Sequence, residues 1–476
     1  MKLEKKYGLF TAISMVVGIV IGSGIFFKAQ DILIYTGGNV LLGVLAWIIG
    51  GIVMVIFSTT FAIYATKFEK VNGVVDYSEA IVGKKYGYMI GWFITTIYYP
   101  AMTAVLAWVS ARYTLNLFGN TEITGGLCIA LALLYMVCAY VLNMLAPKIS
   151  GKFQVSCTVI KLIPLIIMAI IGTIAGLFNG TTIENLKAVS EAKGSIDGIF
   201  GGICAAAFAY EGWIIATSIN SEIKDSKKNL PKALIFGALI VMLIYVTFFI
   251  GISSSASVDT IINDGATVAF TNLFGKFAGT ILNVFIVISC LGTLNGLMIG
   301  NARSMYSISN RNESTDSEMF KQVDKITNAP HNSGAITLLF CAFWFFYFYG
   351  ANLVEKPIFG IFSFDSSELP IITVYALYIP IFISYLIKHW KTESIKIKLL
   401  NILSVIAAIF MISCAVYAHG IKPLLVSLEN GSFSFPVLFY LIVFLMIMGI
   451  GLIVLLKNKN TKIETKFENI QKETSN

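Results

Sequence analysis

Two short stretches of this chain set helix-weakening residues inside long apolar runs. Residues 18–27 read GIVIGSGIFF, and residues 205–212 read AAAFAYEG. A glycine in a helix interior costs on the order of 1 kcal/mol relative to alanine. A break in a helix leaves N–H groups with the positive end of a dipole on one side and free carbonyls on the other. Those two poles suit a zwitterion, the carboxylate facing the N–H groups and the ammonium facing the carbonyls. Taken alone, the first stretch also fits plain helix packing, because Gly18 and Gly22 have the four-residue spacing that permits close helix contact. Paired interruptions in corresponding helices of two halves point instead to a transport site. Broken backbone at membrane depth is tolerated only where it lines a cavity or is buried in protein.

Two ionisable residues fall at similar depth. Lys161 lies in CTVIKLIPLII, nine residues beyond Lys152, or about 13.5 Å along a helix. That is near the middle of a roughly 30 Å hydrocarbon core, beyond the reach of either interface. An ionisable residue there calls for a partner and a function, or at least a structural tie to backbone carbonyls. Glu211 is the acid deep in the second stretch, about 20 Å from Asp197. Pairing with Lys161, proton binding and a turn towards a polar cavity are all open to it.

The elements that must hold these residues are membrane spans. The chain has 476 residues, of which 57% are hydrophobic and 13% charged, and a mean hydropathy of +0.81. Soluble domains carry about 25% charged residues. Continuous apolar runs rather than alternating ones predict an all-α membrane protein, not a barrel. Twelve spans can be drawn, at 9–35, 39–66, 87–117, 125–146, 152–178, 198–221, 231–254, 268–305, 335–351, 366–387, 397–417 and 434–456. With the N-terminus inside, the cytoplasmic segments hold 26 of the 34 Lys and Arg and the outer segments seven, Lys28 among them. This bias places both termini in the cytoplasm. It also accounts for the net charge of +8 without nucleic acid. No cleavable signal peptide is evident, and the first run reads as a span. The segment 71–87 is too short to cross and is expected to lie along the inner face. The polar tail 457–476 is expected to be disordered.

The remaining candidates carry less. The seven cysteines have no zinc or redox spacing and read as packing residues. Tyr245 is as consistent with packing as with lining the pocket, and Asn295 as consistent with packing as with holding backbone. Asp365 and Glu368 are expected in a solvated outer vestibule. His331, His389 and His419 fall in loops or at span ends, without ligand spacing. With no phosphate loop, nucleophile elbow or metal cluster, an enzyme is not expected, and no cofactor or metal is called for.

At this point a resemblance can be named. GIVIGSGIF resembles the GSGIF signature of the amino acid–polyamine–organocation (APC) superfamily. FAYEGW followed by SEIKDSKKNLPKAL resembles the sixth span and following loop of its L-type amino acid transporter (LAT) branch, in a bacterial-type member. LGTLNGLMIGNARSMY resembles that branch's eighth span. The similarity covers spans 1–8; the later spans match in pattern alone. It implies a LeuT-like fold of twelve transmembrane helices. A first inverted repeat would fill 1–178 (spans 1–5) and a second 179–390 (spans 6–10). Helices 1 and 6 would be discontinuous, spans 11–12 (391–456) would lie outside the repeat, and the tail would follow from 457.

The resemblance also implies roles. Amides at Gly22, Ser23, Gly24 and Ile25 would take the substrate carboxylate. Carbonyls of Val20, Phe208, Ala209 and Glu211 would take the ammonium. Phe208 would cover the substrate as a gate, although a core aromatic is the plainer reading. Lys161 would contact the unwound first span in the place that sodium fills in sodium-coupled relatives of the fold. The function implied is sodium-independent amino acid transport by alternating access, an exchanger of small or medium neutral L-amino acids in the plasma membrane. The alternative is a proton-coupled symporter of cationic amino acids or polyamines. A channel or receptor fits the paired breaks poorly. Animal members of the branch bond a glycoprotein heavy chain through a cysteine between spans 3 and 4. Here that loop, GNTEIT, has none, so no disulfide-linked partner is expected.

Overall fold

A computed structural model describes residues 8–22, 24–68, 73–120, 122, 124–188, 197–213, 223–265, 268–310 and 317–474. Ser23, the end of the sixth expected span (214–221) and part of the loop before residue 317 lie outside these.

The described chain is helical, without an extended strand. Its helices are α1 (Leu9–Val20), α2 (Gly24–Tyr35), α3 (Val40–Lys67), α4 (Val74–Ile81), α5 (Lys84–Leu117), α6 (Gly126–Leu145), α7 (Pro147–Ile160), α8 (Leu162–Asn179) and α9 (Thr181–Ala188). There follow α10 (Gly198–Tyr210), α11 (Ser226–Ser255), α12 (Val258–Asp264), α13 (Val268–Asn310), α14 (Ser317–Phe320), α15 (His331–Leu353), α16 (Leu369–His389), α17 (Ile395–Glu429) and α18 (Pro436–Thr474). Ten of these are long and apolar enough to cross a membrane. The other two spans drawn from the sequence, 9–35 and 198–221, do not form single long helices, and the span drawn at 152–178 is divided between α7 and α8. The first is the pair α1 and α2, and the second begins with the short α10.

Each interruption has a local cause. α1 ends at Val20, and Ile21 is extended (φ −67°, ψ 95°). α10 ends at Tyr210: Glu211 is extended (ψ 160°) and Gly212 has φ +106°, a region that favours glycine. Between α7 and α8 the helix is interrupted at Lys161. Pro164, three residues on, has no N–H to donate to the carbonyl of Ile160. Between α2 and α3 the chain turns at Gly37 and Gly38, both with positive φ, and the Asn39 side chain caps α3 by accepting from Leu42 N at 3.0 Å.

α3, α10 and α11 form the centre. α11 packs on α3 and α1, and α10 packs on α2 and α3. α13 lies against α5, α7 and α15. α16 packs on α17, which also meets α3 and α10. Large side chains fill this centre, among them Trp47, Trp213, Tyr64, Tyr210, Tyr245 and Phe57. The periphery is apolar instead: Leu403, Ile406 and Ile409 on α17 and Leu445, Met446 and Ile453 on α18 are exposed. Such a belt suits a lipid solvent.

Segment 74–81 forms α4, whose Val74, Val75, Tyr77 and Ile81 are buried and which packs on α5 and α16. Span 11, drawn at 397–417, is longer: α17 continues to Glu429 through a π-helical turn, Tyr417–Ile421. The last helix is described as far as Thr474.

Candidate functional site

The two interruptions meet. A Cβ built on Gly24, the first residue of α2, would lie 2.9 Å from Ala209 Cα, near the end of α10. Backbone therefore approaches backbone there, which only glycine permits. A Cβ on Gly22 would lie 3.0 Å from Cγ2 of Thr293 on α13. At Gly24 the missing side chain makes room for α10.

The last carbonyls of a helix need partners from outside it. Here side chains supply them. The Lys161 ammonium donates to the carbonyl of Gly18 and is 2% exposed. Tyr245 Oη, from α11, lies 3.1 Å from the carbonyls of both Val20 and Ala209, and so bridges the ends of α1 and α10. The Phe208 carbonyl accepts from Glu211 N at 3.3 Å. Each of these carbonyl oxygens keeps a second lone pair. On the facing side, the first N–H groups of α2, at Gly24, Ile25 and Phe26, have no partner within their own helix. Ile25 is fully buried.

Aromatic rings wall the site. Tyr245 packs at 5.1 Å from Tyr210 and 5.4 Å from Trp47, between ring centroids, and Tyr210 Oη donates to the Trp47 carbonyl at 2.9 Å. Phe208 meets Phe27 edge-on at 5.2 Å.

Glu211 is not paired with Lys161. Its Oε1 accepts from Tyr98 Oη at 2.8 Å and its Oε2 from Tyr375 Oη at 3.0 Å. Tyr98 comes from a π-helical segment of α5 (Ile94–Tyr98) and Tyr375 from α16. Its described hydrogen bonds thus involve neutral donors.

A second polar group lies along the middle of α2, at Lys28 and Asp31. The Lys28 ammonium is 5.2 Å from the Phe208 ring centre, 2.6 Å from Glu368 Oε1 and 3.1 Å from Asp31 Oδ2. His419 Nε2 is 3.0 Å from Glu368 Oε2. Asp365 Oδ1 accepts from Ser367 N at 2.7 Å and Glu368 N at 2.9 Å. Glu368 is fully buried and Lys28 is 3% exposed. In place of the solvated vestibule expected at Asp365 and Glu368, Glu368 is buried among charged partners and Asp365 is half-buried beside it. Nor does His419 end its span; it lies within α17. Among the described residues, the ligand atoms of Asp365, Glu368 and His419 alone group closely enough, within 4.8 Å, to hold a metal ion. The Lys28 ammonium already supplies a cation to that carboxylate.

Asn295 holds backbone: its Nδ2 donates to the Ser150 carbonyl at 3.4 Å. It bonds Asn143 (Nδ2 to Oδ1, 3.0 Å) and Ser150 (Oγ to Oδ1, 3.1 Å), tying α6 and α7 to α13. Six of the seven cysteines are buried, and Cys138 is exposed.

The amino acid permease family model matches residues 7–450. The chain belongs to this family. It is a bacterial-type member of the APC superfamily, with LAT-type relatives. It is 31% identical over 332 residues to the serine/threonine exchanger SteT of Bacillus subtilis, covering 69% of this chain and 73% of that protein. It is 25% identical over 308 residues to the human cystine/glutamate transporter, covering 64% and 61%. It is 25% identical over 311 residues to the rabbit large neutral amino acids transporter small subunit 2, covering 64% and 58%. The match thus spans less than two thirds of the length of these two mammalian relatives. The permease is an all-helical, multi-pass protein of an amino acid transporter and exchanger family, and its relatives are transporters rather than enzymes by name.

Sequence reasoning missed Lys28, Thr293, Tyr98, Tyr375 and the cluster at Glu368. Lys28 had a usable signal, a cation four residues after Gly24 in an apolar segment. The tyrosines had none, because a tyrosine in a span is common and its partner is set by packing.

Proposed function

We propose that this permease is a sodium-independent exchanger of small neutral L-amino acids such as serine and threonine, working by alternating access. The observation that carries the reading is the meeting of the two interruptions, with Tyr245 Oη 3.1 Å from the carbonyls of Val20 and Ala209. The N–H groups of α2 that have no partner within their own helix on one side and carbonyl lone pairs on the other form a dipolar slot for an α-amino acid. The printed name of its Bacillus relative supports the substrate class.

In this reading the substrate carboxylate binds N–H groups at Gly22, Ser23, Gly24 and Ile25. Its ammonium takes the open lone pairs at Val20, Phe208, Ala209 and Glu211. Tyr245 holds the two helix ends together, and Phe208 covers the site. Lys161, donating to Gly18, provides the fixed positive charge that makes a sodium ion unnecessary. The ten long helices, with the interrupted 9–35 and 198–221, form a twelve-span, five-plus-five inverted repeat of the LeuT type, with both termini in the cytoplasm of a cell whose plasma membrane it crosses. Residues 1–178 and 179–390 are the repeats, and 391–456 lie outside them.

The test is uptake of radiolabelled L-serine into proteoliposomes without sodium, either preloaded with L-serine or empty. Exchange predicts uptake into preloaded vesicles only. A requirement for sodium overturns the reading, as does equal uptake into empty vesicles. A second reading, proton-coupled uptake of a cationic substrate, draws on Glu211, whose described partners Tyr98 and Tyr375 carry no positive charge. Uptake of L-arginine into empty vesicles, driven by an imposed pH gradient, would favour it.

A further inference from the structure

We propose that the π-helical turn Tyr417–Ile421 of α17 is a latch that holds the outer halves of both interrupted helices closed, with His419 and Tyr417 as its positioning residues. The proposal rests on the alternating-access reading and its orientation.

The turn makes two separate ties. His419 Nε2 is 3.0 Å from Glu368 Oε2, and the other oxygen of that carboxylate is 2.6 Å from the Lys28 ammonium on α2. Two residues earlier, Tyr417 Oη donates to Asp197 Oδ2 at 3.1 Å, and Lys422 Nζ is 3.2 Å from the same oxygen. Asp197 is the residue immediately before α10. The Tyr417 ring also meets Phe200 of α10 edge-on at 5.2 Å. One turn of one helix thus grips α2 through Glu368 and α10 through Asp197 and Phe200. The gripped halves also touch each other, at Gly24 against Ala209 and Phe27 against Phe208.

The local geometry suits this task. A π-helical turn inserts an extra residue into the helix and shifts which side chains face inward. It carries His419, which is 7% exposed, into the charge cluster. A carboxylate as deeply buried as Glu368 requires partners for both oxygens, and they come from two elements that must separate if the outer side opens. Lys28 stands over the Phe208 ring, so holding Lys28 also holds the cover of the proposed substrate slot. α17 belongs to neither repeat in the proposed architecture, so it is a fixed post against which both moving halves can rest.

A latch on the closed outer state changes the populations of the two open states. Releasing it enlarges the outward-open fraction, and the apparent affinity on each side follows the fraction competent to bind there. The experiment compares wild type with His419→Phe and Tyr417→Phe. The first keeps a ring and removes the nitrogen; the second removes the hydroxyl and keeps the contact with Phe200. Exchange of L-serine is measured in oriented proteoliposomes with substrate varied on one side at a time. The latch predicts that the external KM falls about three- to ten-fold while the internal KM rises. Hydrogen–deuterium exchange of 24–35 and 198–210 should also quicken in both variants, a readout that needs no transport. A general packing defect would instead lower the rate equally from both sides without opposite KM shifts, and that result overturns the latch. So do unchanged KM values together with unchanged hydrogen exchange. If wild type does not exchange L-serine, the transport reading fails by itself, and the hydrogen-exchange comparison still decides the latch.

Discussion

At the scale of single residues, Lys161 and Tyr245 do the same kind of work: each partners carbonyls that a broken helix cannot satisfy itself. Replacing Lys161 with alanine leaves the Gly18 carbonyl unpaired in a poorly solvated place, a cost of about 1–3 kcal/mol. L-serine exchange by Lys161→Ala in liposomes should therefore fall ten-fold or more if ~1.4 kcal/mol is lost from the productive state. Lys161→Arg should not restore it, because a planar guanidinium does not replace a compact ammonium. Normal exchange by Lys161→Ala would reduce this lysine to a packing residue. Tyr245→Phe is a milder test. It keeps the ring against Trp47 and Tyr210 and removes only the hydroxyl shared by Val20 and Ala209. One lost hydrogen bond is worth about 0.5–1.5 kcal/mol, so exchange should drop about two- to ten-fold with the purified protein's melting temperature little changed.

At the scale of elements, the glycines of 18–27 matter through what they let approach. Gly24 admits Ala209 of α10, and Gly22 admits the side chain of Thr293 on α13. The second contact allows a clean double-mutant test. Gly22→Ala alone should impair exchange, because its Cβ would stand 3.0 Å from the Thr293 methyl carbon. Adding Thr293→Ala leaves a Cβ at 3.7 Å, an ordinary contact, and should recover much of the loss. The two changes should then be non-additive by about 1 kcal/mol, as expected for residues in contact. Additive losses measured in the same assay would mean that Gly22 serves something other than the α1–α13 contact.

At the scale of the whole molecule, the exposed apolar belt and the buried polar centre set the conditions of transport. With an ammonium already held against α1, varying external sodium should leave the rate of L-serine exchange unchanged; a steep sodium dependence would mean that the cation place is open. The distribution of Lys and Arg makes a second molecular prediction, on topology. A protease added outside intact cells should spare tags fused at either terminus, and cleavage of either tag would reverse the proposed orientation.

Much of this was legible in the sequence because it depends on local composition. Long apolar runs predict membrane helices wherever they occur, and ten of the spans drawn from them are long helices. The breaks at 20–24 and 210–212 were legible for the same reason, since glycine weakens a helix through its own backbone. The depth of Lys161 followed from counting residues along its span. What the sequence could not supply was pairing between distant segments. Glu211 meets Tyr98 and Tyr375, 113 and 164 residues away, and Lys28 meets Glu368, 340 residues away. Read singly, Asp365 and Glu368 looked like acids in water, because nothing near them in the chain neutralises them. Only the tertiary fold brings Lys28 of α2 and His419 of α17 to Glu368, the residue before α16, and a buried carboxylate is stable just where such partners surround it.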